Sequence, residues 1–244
     1  VGHAVRACYM YSGMADVAKE TKDKPIEKAC KHLWRNVTEK RMYVTGGIGP
    51  THQNEGFTFD YDLPNETAYA ETCASIALAQ WAHRMFHLDP DSKYINVLER
   101  AIYNGILSGV NLEGDKFFYS NRLSVLPDEI ETNAHGHDID RQPWFECACC
   151  PTNIVRFLPS IPGYIYSKSN KDVWIHLYIQ STVNLELNNS PIKLSQKTLQ
   201  PWDGKCKISI KNVQKKSFTL YLRQPYWSKG LVVKQSKKMI QTTA

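Results

Sequence analysis

The sequence predicts two kinds of structure in series: a helical region up to about residue 168, then an antiparallel β-sandwich or the start of one. Two observations carry that reading. Before residue 168 the apolar residues recur with a helical period, and from Asp172 they alternate with a period of two. Turn residues also punctuate the later part, as at Asn188-Asn189-Ser190-Pro191 and Asp203-Gly204.

The helical elements follow in order. From His3 to about Glu20, Val5, Cys8, Tyr9, Met10, Met14 and Val17 give a broadly helical spacing. Pro25 opens a second helix to about Val37, since proline suits a first turn. Tyr43-Val-Thr-Gly-Gly-Ile-Gly-Pro50 cannot be regular helix, and a polar and aromatic loop continues to Pro64. Loops this long within a domain are usually functional or disordered, and Phe57, Phe59 and Tyr61 argue against disorder. Asn65 or Thr67 is the expected cap of a third helix, which runs to about His87 and ends at Asp89-Pro90. A fourth helix spans about Ser92 to Val110. Residues 114–148 read as irregular, with a hairpin at Gly114-Asp115, and Pro151 starts a short helix ending near Pro159 to Gly163. The expected strands are 173–179, Val183–Leu187, Cys206–Ile210 and Phe218–Arg223.

Composition narrows the function classes. With 244 residues, 42% hydrophobic and 22% charged, the chain is ordinary for a globular protein and long enough for a sizeable core. The net charge of +6 is spread along the chain, whereas a nucleic-acid surface needs a focused basic face, so no nucleic-acid partner is expected. No apolar run reaches the roughly 18 to 20 residues of a membrane span, so no membrane partner is expected either. The opening Val1-Gly-His-Ala-Val-Arg6 is neither a signal peptide nor led by Met, and it reads as the inside of a helix, which suggests a fragment.

Seven cysteines stand at positions 8, 30, 73, 147, 149, 150 and 206. Three within four residues suit reduced, metal-bound thiols better than a disulfide framework. Reduced thiols point to a cytoplasmic setting. In Glu71-Thr-Cys73 the two side chains lie about 200° apart around a helix, so they converge on one ion only at an extended helix entry. Cys147-Ala-Cys149-Cys150 reads as irregular chain just before a helix, where unpaired amides favour thiolate. Thiolates with a carboxylate suit tetrahedral zinc. On spacing alone the ligands are Glu71, Cys73 and two of the three clustered cysteines. Against this stands a plain reading of Cys73 as a small buried hydrophobe and Glu71 as a surface charge. The loop Gly46–Gly56 lacks the strand–loop–helix frame of a phosphate cradle. Its Glu55, set among glycine and aromatics, is either an exposed loop residue or a general acid.

Several motifs occur in order: Gly2-His-Ala-Val-Arg6, Tyr43-Val-Thr-Gly-Gly-Ile-Gly49, Asn54-Glu-Gly-Phe57, Tyr69-Ala-Glu-Thr-Cys-Ala-Ser75, Glu99-Arg-Ala-Ile-Tyr-Asn104, Cys149-Cys-Pro-Thr-Asn153 and Trp202-Asp-Gly204. Together they resemble glycoside hydrolase family 127, the β-L-arabinofuranosidase family and its relatives, over nearly the whole chain. The resemblance implies the C-terminal part of an (α/α)6 barrel over residues 1–168 and an incomplete β-sandwich domain over 169–244. It implies zinc on Glu71, Cys73, Cys149 and Cys150, with Cys149 as nucleophile, Glu55 as acid/base and His3 lining the sugar pocket. His52 and Tyr69 are read as loop or structural residues. The implied reaction is retaining hydrolysis of an L-arabinofuranoside by a chain that is part of a longer, homo-oligomer-forming parent. The family has Pro-Pro after the cysteine pair where this chain has Pro151-Thr152, and Cys147 is an extra thiol beside the site. Two alternatives stand beside this one: a non-catalytic zinc-stabilised scaffold or carbohydrate-binding remnant, and a thiol redox protein, which lacks the expected βαβ frame.

Overall fold

The structure, a computed structural model, describes residues 2–125, 139–212, 217–235 and 238–240. It divides into two compact units, residues 1–159 and 160–244, each taken by itself below.

The first unit is helical. Helix α1 (Ala4–Thr21) buries Ala4, Cys8, Ser12, Ala15 and Ala18, a stripe of small residues spaced three and four apart. Side chains this small let α1 approach closely the third helix, α3 (Thr72–Leu88), its main neighbour. Helix α2 (Lys24–Lys40) starts as its sequence suggests: Asp23 accepts a hydrogen bond from the Ile26 amide at 2.9 Å, and Pro25 sits in the first turn. Its buried Trp34 meets Trp81 of α3 and Tyr94 of α4 (Ser92–Arg100) edge-on, with ring centroids 4.9 and 4.8 Å away. Asp91 caps α4 by accepting from the Lys93 amide at 2.8 Å. The helical run then continues through a π-helical turn at Ala101–Ile106 and a 3₁₀ turn at Leu107–Gly109, so the expected single helix is present with a changed pitch. The hairpin at Gly114 also forms, with Val110 bridged to Phe117.

One helix start differs from expectation. Helix α3 begins at Thr72, not at Asn65 or Thr67. The amides of Tyr69 and Ala70 donate instead to the carbonyls of Pro50 and Gly49, at 3.2 and 2.8 Å, so they tie this stretch to the glycine loop. Ala70 is also held at φ 39°, outside helical backbone. The loop can pass this close because Gly47 lies against Ala70, where an added Cβ would come within 3.0 Å of the Ala70 Cβ. Helix α5 (Cys149–Phe157) begins two residues ahead of Pro151 and packs on α3. Residues 126–138, part of the stretch read as irregular, lie outside the described residues.

The second unit opens with a short helix, α6 (Pro162–Ile165), followed by β1 (Tyr166–Lys168) and β2 (Asp172–Ile175). Strands β3 (Ser181–Leu187), β4 (Ser190–Thr198) and β5 (Cys206–Asn212) form one antiparallel sheet in the order β3-β4-β5. Strand β6 (Thr219–Leu222) joins the first sheet in the order β1-β2-β6, and β7 (Val233–Gln235) pairs with β8 (Lys238–Ile240). Val173 and Ile175 of the first sheet share one apolar cluster with Leu187, Ile192 and Leu194 of the second. One pairing departs from the expected antiparallel order, since β2 and β6 run parallel. Parallel neighbours need a long crossover, and here the β3–β5 sheet supplies it.

Strand β4 has no counterpart among the sequence-predicted strands. Its inward positions are Ser190, Ile192, Leu194, Gln196 and Thr198, so three of five are polar and the apolar alternation fades. The turn before it is only Asn188-Asn189, both at positive φ, as a two-residue hairpin turn requires.

Candidate active site

The site forms where two helices begin. Glu71 is the last extended residue before α3, at φ −56° and ψ 136°, and Cys73 follows in the first turn. That extended entry is the condition under which an i, i+2 pair can face one point. Tyr119 and Phe118 hold it in place: the Thr72 amide donates to the Tyr119 carbonyl at 2.9 Å, and the Thr72 hydroxyl donates to the Phe118 carbonyl at 2.9 Å. Cys149 and Cys150 are the first two residues of α5, within the helix and not before it. Both helices thus begin at the cluster, and the positive end of a helix dipole favours anionic side chains.

The ligand atoms of Glu71, Cys73, Cys149 and Cys150 all lie within 4.8 Å of one another. The Sγ atoms of Cys149 and Cys150 are each 3.6 Å from Glu71 Oε1 and 3.8 Å from each other. Three sulfurs and a carboxylate oxygen are a donor set for a zinc-class cation. Glu71 Oε2 is buried with no hydrogen-bond partner, an orphan acceptor that a cation would satisfy. The electrostatics agree. Burial, then the negative charge at Cys149, pushes the Glu71 carboxyl up to about 8. Hydrogen bonds from Cys150, Cys73 and Tyr119 hold the Cys149 thiol well below its ordinary range, while burial drives Cys150 far above it. Burial thus penalises the anionic forms of Glu71 and Cys150, and a divalent cation bound there would stabilise them.

Access separates the four. Cys150, Glu71 and Cys73 are 0%, 2% and 4% exposed, whereas Cys149 is half-buried. Of the three clustered sulfurs, Cys149 is the one an incoming molecule can reach. The extra thiol, Cys147, is exposed and lies 3.8 Å from the Tyr119 hydroxyl, outside the metal-capable group.

Glu55 ends a short 3₁₀ turn in the long loop. Asn54 and Glu55 both carry positive φ, at 55° and 44°, a strained pair of the kind that collects at functional sites. His3, the residue before α1, puts Nε2 2.7 Å from Glu55 Oε2. Tyr69, read from the sequence as a loop or structural residue, donates its hydroxyl to Glu55 Oε1 at 3.0 Å. Tyr119 completes the arrangement. Its hydroxyl is 2.9 Å from Cys149 Sγ and 3.3 Å from Glu55 Oε1. Burial foremost, then the hydrogen bond to Cys149, raises this phenol far above its ordinary range, so it stays protonated and donates. Sequence reasoning missed Tyr119, because Phe117-Phe118-Tyr119 sits in an irregular stretch with no motif around it.

Helices followed by small sheets are consistent with solved glycoside hydrolases. One solved glycoside hydrolase superposes with a TM-score of 0.93 at 31% identity, over 100% of this chain and 43% of that one. The chain belongs to glycoside hydrolase family 127: the family's β-L-arabinofuranosidase catalytic domain matches residues 1–163 and its middle domain matches residues 172–243. It is similar to the GH127 β-L-arabinofuranosidase of Geobacillus stearothermophilus T6, with a TM-score of 0.94 and 46% identity over 98% of this chain and 38% of that one. It is also 39% identical, over 235 residues, to the non-reducing end β-L-arabinofuranosidase of Bifidobacterium longum subsp. longum, covering 94% of this chain and 35% of that protein. The chain therefore spans little more than a third of the length of these two relatives.

Proposed function

We propose that this chain carries the catalytic centre of a retaining glycoside hydrolase that releases L-arabinofuranose from β-L-arabinofuranosides. Cys149 is the nucleophile, Glu55 the acid/base, and zinc sits on Glu71, Cys73, Cys149 and Cys150. The helical unit is read as part of an (α/α)6 barrel and the sheets as part of a β-sandwich domain.

The observation that carries the reading is the Tyr119 hydroxyl between sulfur and carboxylate. Because that oxygen touches both, Cys149 Sγ and Glu55 Oε1 are at most about 6 Å apart. Retaining glycosidases hold their two catalytic groups about 5 to 5.5 Å apart, whereas inverting ones need roughly 6.5 to 9.5 Å to admit a water. The short gap supports double displacement.

In the first step, Cys149 Sγ attacks the anomeric carbon while Glu55 protonates the departing glycosidic oxygen, so a C–S bond forms as the C–O bond breaks. In the second, the Glu55 carboxylate takes a proton from water, whose oxygen displaces the sulfur and releases the sugar with its configuration retained. When bound, zinc would keep the Cys149 sulfur as thiolate at neutral pH and fix its position. Tyr119 orients the sulfur and the carboxylate toward the same sugar. His3 positions Glu55 from its other oxygen and lines the sugar side of the site.

The function is tested by zinc content together with release of p-nitrophenol from p-nitrophenyl β-L-arabinofuranoside by the full-length protein that carries this chain. Zinc-dependent release is expected. Stoichiometric zinc without any hydrolysis would favour the non-catalytic scaffold instead. Tyr119→Phe gives a finer test. A hydrogen bond to a charged group contributes about 1.5 to 3 kcal/mol, so kcat should fall roughly 10- to 150-fold. Zinc content should stay at the wild-type level, and an unchanged kcat would remove Tyr119 from the mechanism.

A further inference from the structure

Helix α3 carries a second pair of metal-type ligands, toward the opposite end from Glu71. His83 and His87 are one turn apart, so their side chains share a flank of the helix. Their Nε2 atoms lie 3.2 Å apart, and the rings meet edge-on with centroids 4.4 Å apart. Zinc-to-imidazole bonds are about 2.0 to 2.1 Å long, so two such nitrogens stand roughly 2.9 Å apart at a right angle and roughly 3.3 Å apart at a tetrahedral one. The observed separation falls between these limits.

The charged groups facing the pair are Lys19 and Asp16 from α1 and Arg84 from α3 itself. Arg84 donates to Asp16 Oδ2 at 2.9 Å and to the Gln80 carbonyl at 3.2 Å.

We propose that His83 and His87 form a second metal site, a two-imidazole chelate for a zinc-class divalent cation whose remaining positions are filled by water. The site is separate from the cysteine cluster and does not depend on the activity proposed above. Imidazole ligands suit zinc, nickel and copper, and two protein ligands make a weaker, exchangeable site than four.

The test is a calorimetric zinc titration of the full chain already equilibrated with one equivalent of zinc. The wild type is expected to take up one further zinc per chain. His87→Ala, at an exposed position, and His83→Gln should each weaken that uptake at least about tenfold or abolish it. Because the readout is the difference between wild type and variant, it holds whether or not the cysteine cluster fills. Uptake unchanged in His87→Ala would overturn the proposal. So would a wild type that takes up nothing beyond the cysteine cluster, which would leave the two rings as an imidazole–imidazole hydrogen bond only.

Discussion

Replacing Cys149 with Ser is expected to lower kcat of the full-length protein by about 10⁴-fold or more, the scale seen when a covalent nucleophile is removed. The substitution changes one atom, so the loss isolates the chemistry of that atom. A serine hydroxyl holds its proton far more tightly than a thiol, and the hydrogen bonds that lower the Cys149 thiol cannot bring an alcohol into its reactive anionic form at neutral pH. The companion variant Glu55→Gln is expected to lose about 10²- to 10⁴-fold, the usual contribution of a general acid–base. Its loss should be smaller with an aryl leaving group that departs without protonation, a dependence that Cys149→Ser should not show. Turnover of p-nitrophenyl β-L-arabinofuranoside by Cys149→Ser within tenfold of wild type would sink the nucleophile assignment.

The second large effect concerns the metal. Cys150→Ala removes a fully buried sulfur from the four-residue cluster. Structural zinc sites contribute about 10 to 16 kcal/mol of apparent binding energy in small zinc-dependent folds, so loss of one ligand should forfeit several kcal/mol. For a chain of this size each kcal/mol moves the unfolding midpoint by about 2 to 4 °C, which predicts a fall of roughly 10 °C in the presence of zinc. A chelator should lower the wild-type midpoint by a similar amount and leave Cys150→Ala nearly unchanged. Acidification should act as the chelator does, because cysteine and carboxylate ligands must shed protons to bind. Equal midpoints for wild type with and without chelator would show that the cluster holds no stabilising cation.

Not every part of the site could be read from the chain. Glu71, Cys73, Cys149 and Cys150 were visible as a metal-type set, yet spacing left open which two of the three clustered cysteines belonged to it. The structure brings Cys149 and Cys150 together with Glu71 and Cys73 because α5 starts against the start of α3. Tyr119 was invisible, since a tyrosine contributes by where its hydroxyl ends up, and that is set 30 residues from Cys149 and 64 from Glu55. The true start of α3 was hidden for a related reason. Asn65 and Thr67 have capping side chains, but the amides beyond them are taken by carbonyls of the glycine loop.

By itself the sequence determined the class of each region, the helix start at Asp23 and Pro25, and the candidate donor types, because these depend on local periodicity, capping and side-chain chemistry. Only the tertiary structure decided three things: the point where Glu71 leaves extended chain for helix, the parallel pairing of β2 with β6, and the Tyr119 hydroxyl between Cys149 and Glu55. Each rests on contacts between residues far apart in the chain, and long-range packing overrides local preference wherever the two compete.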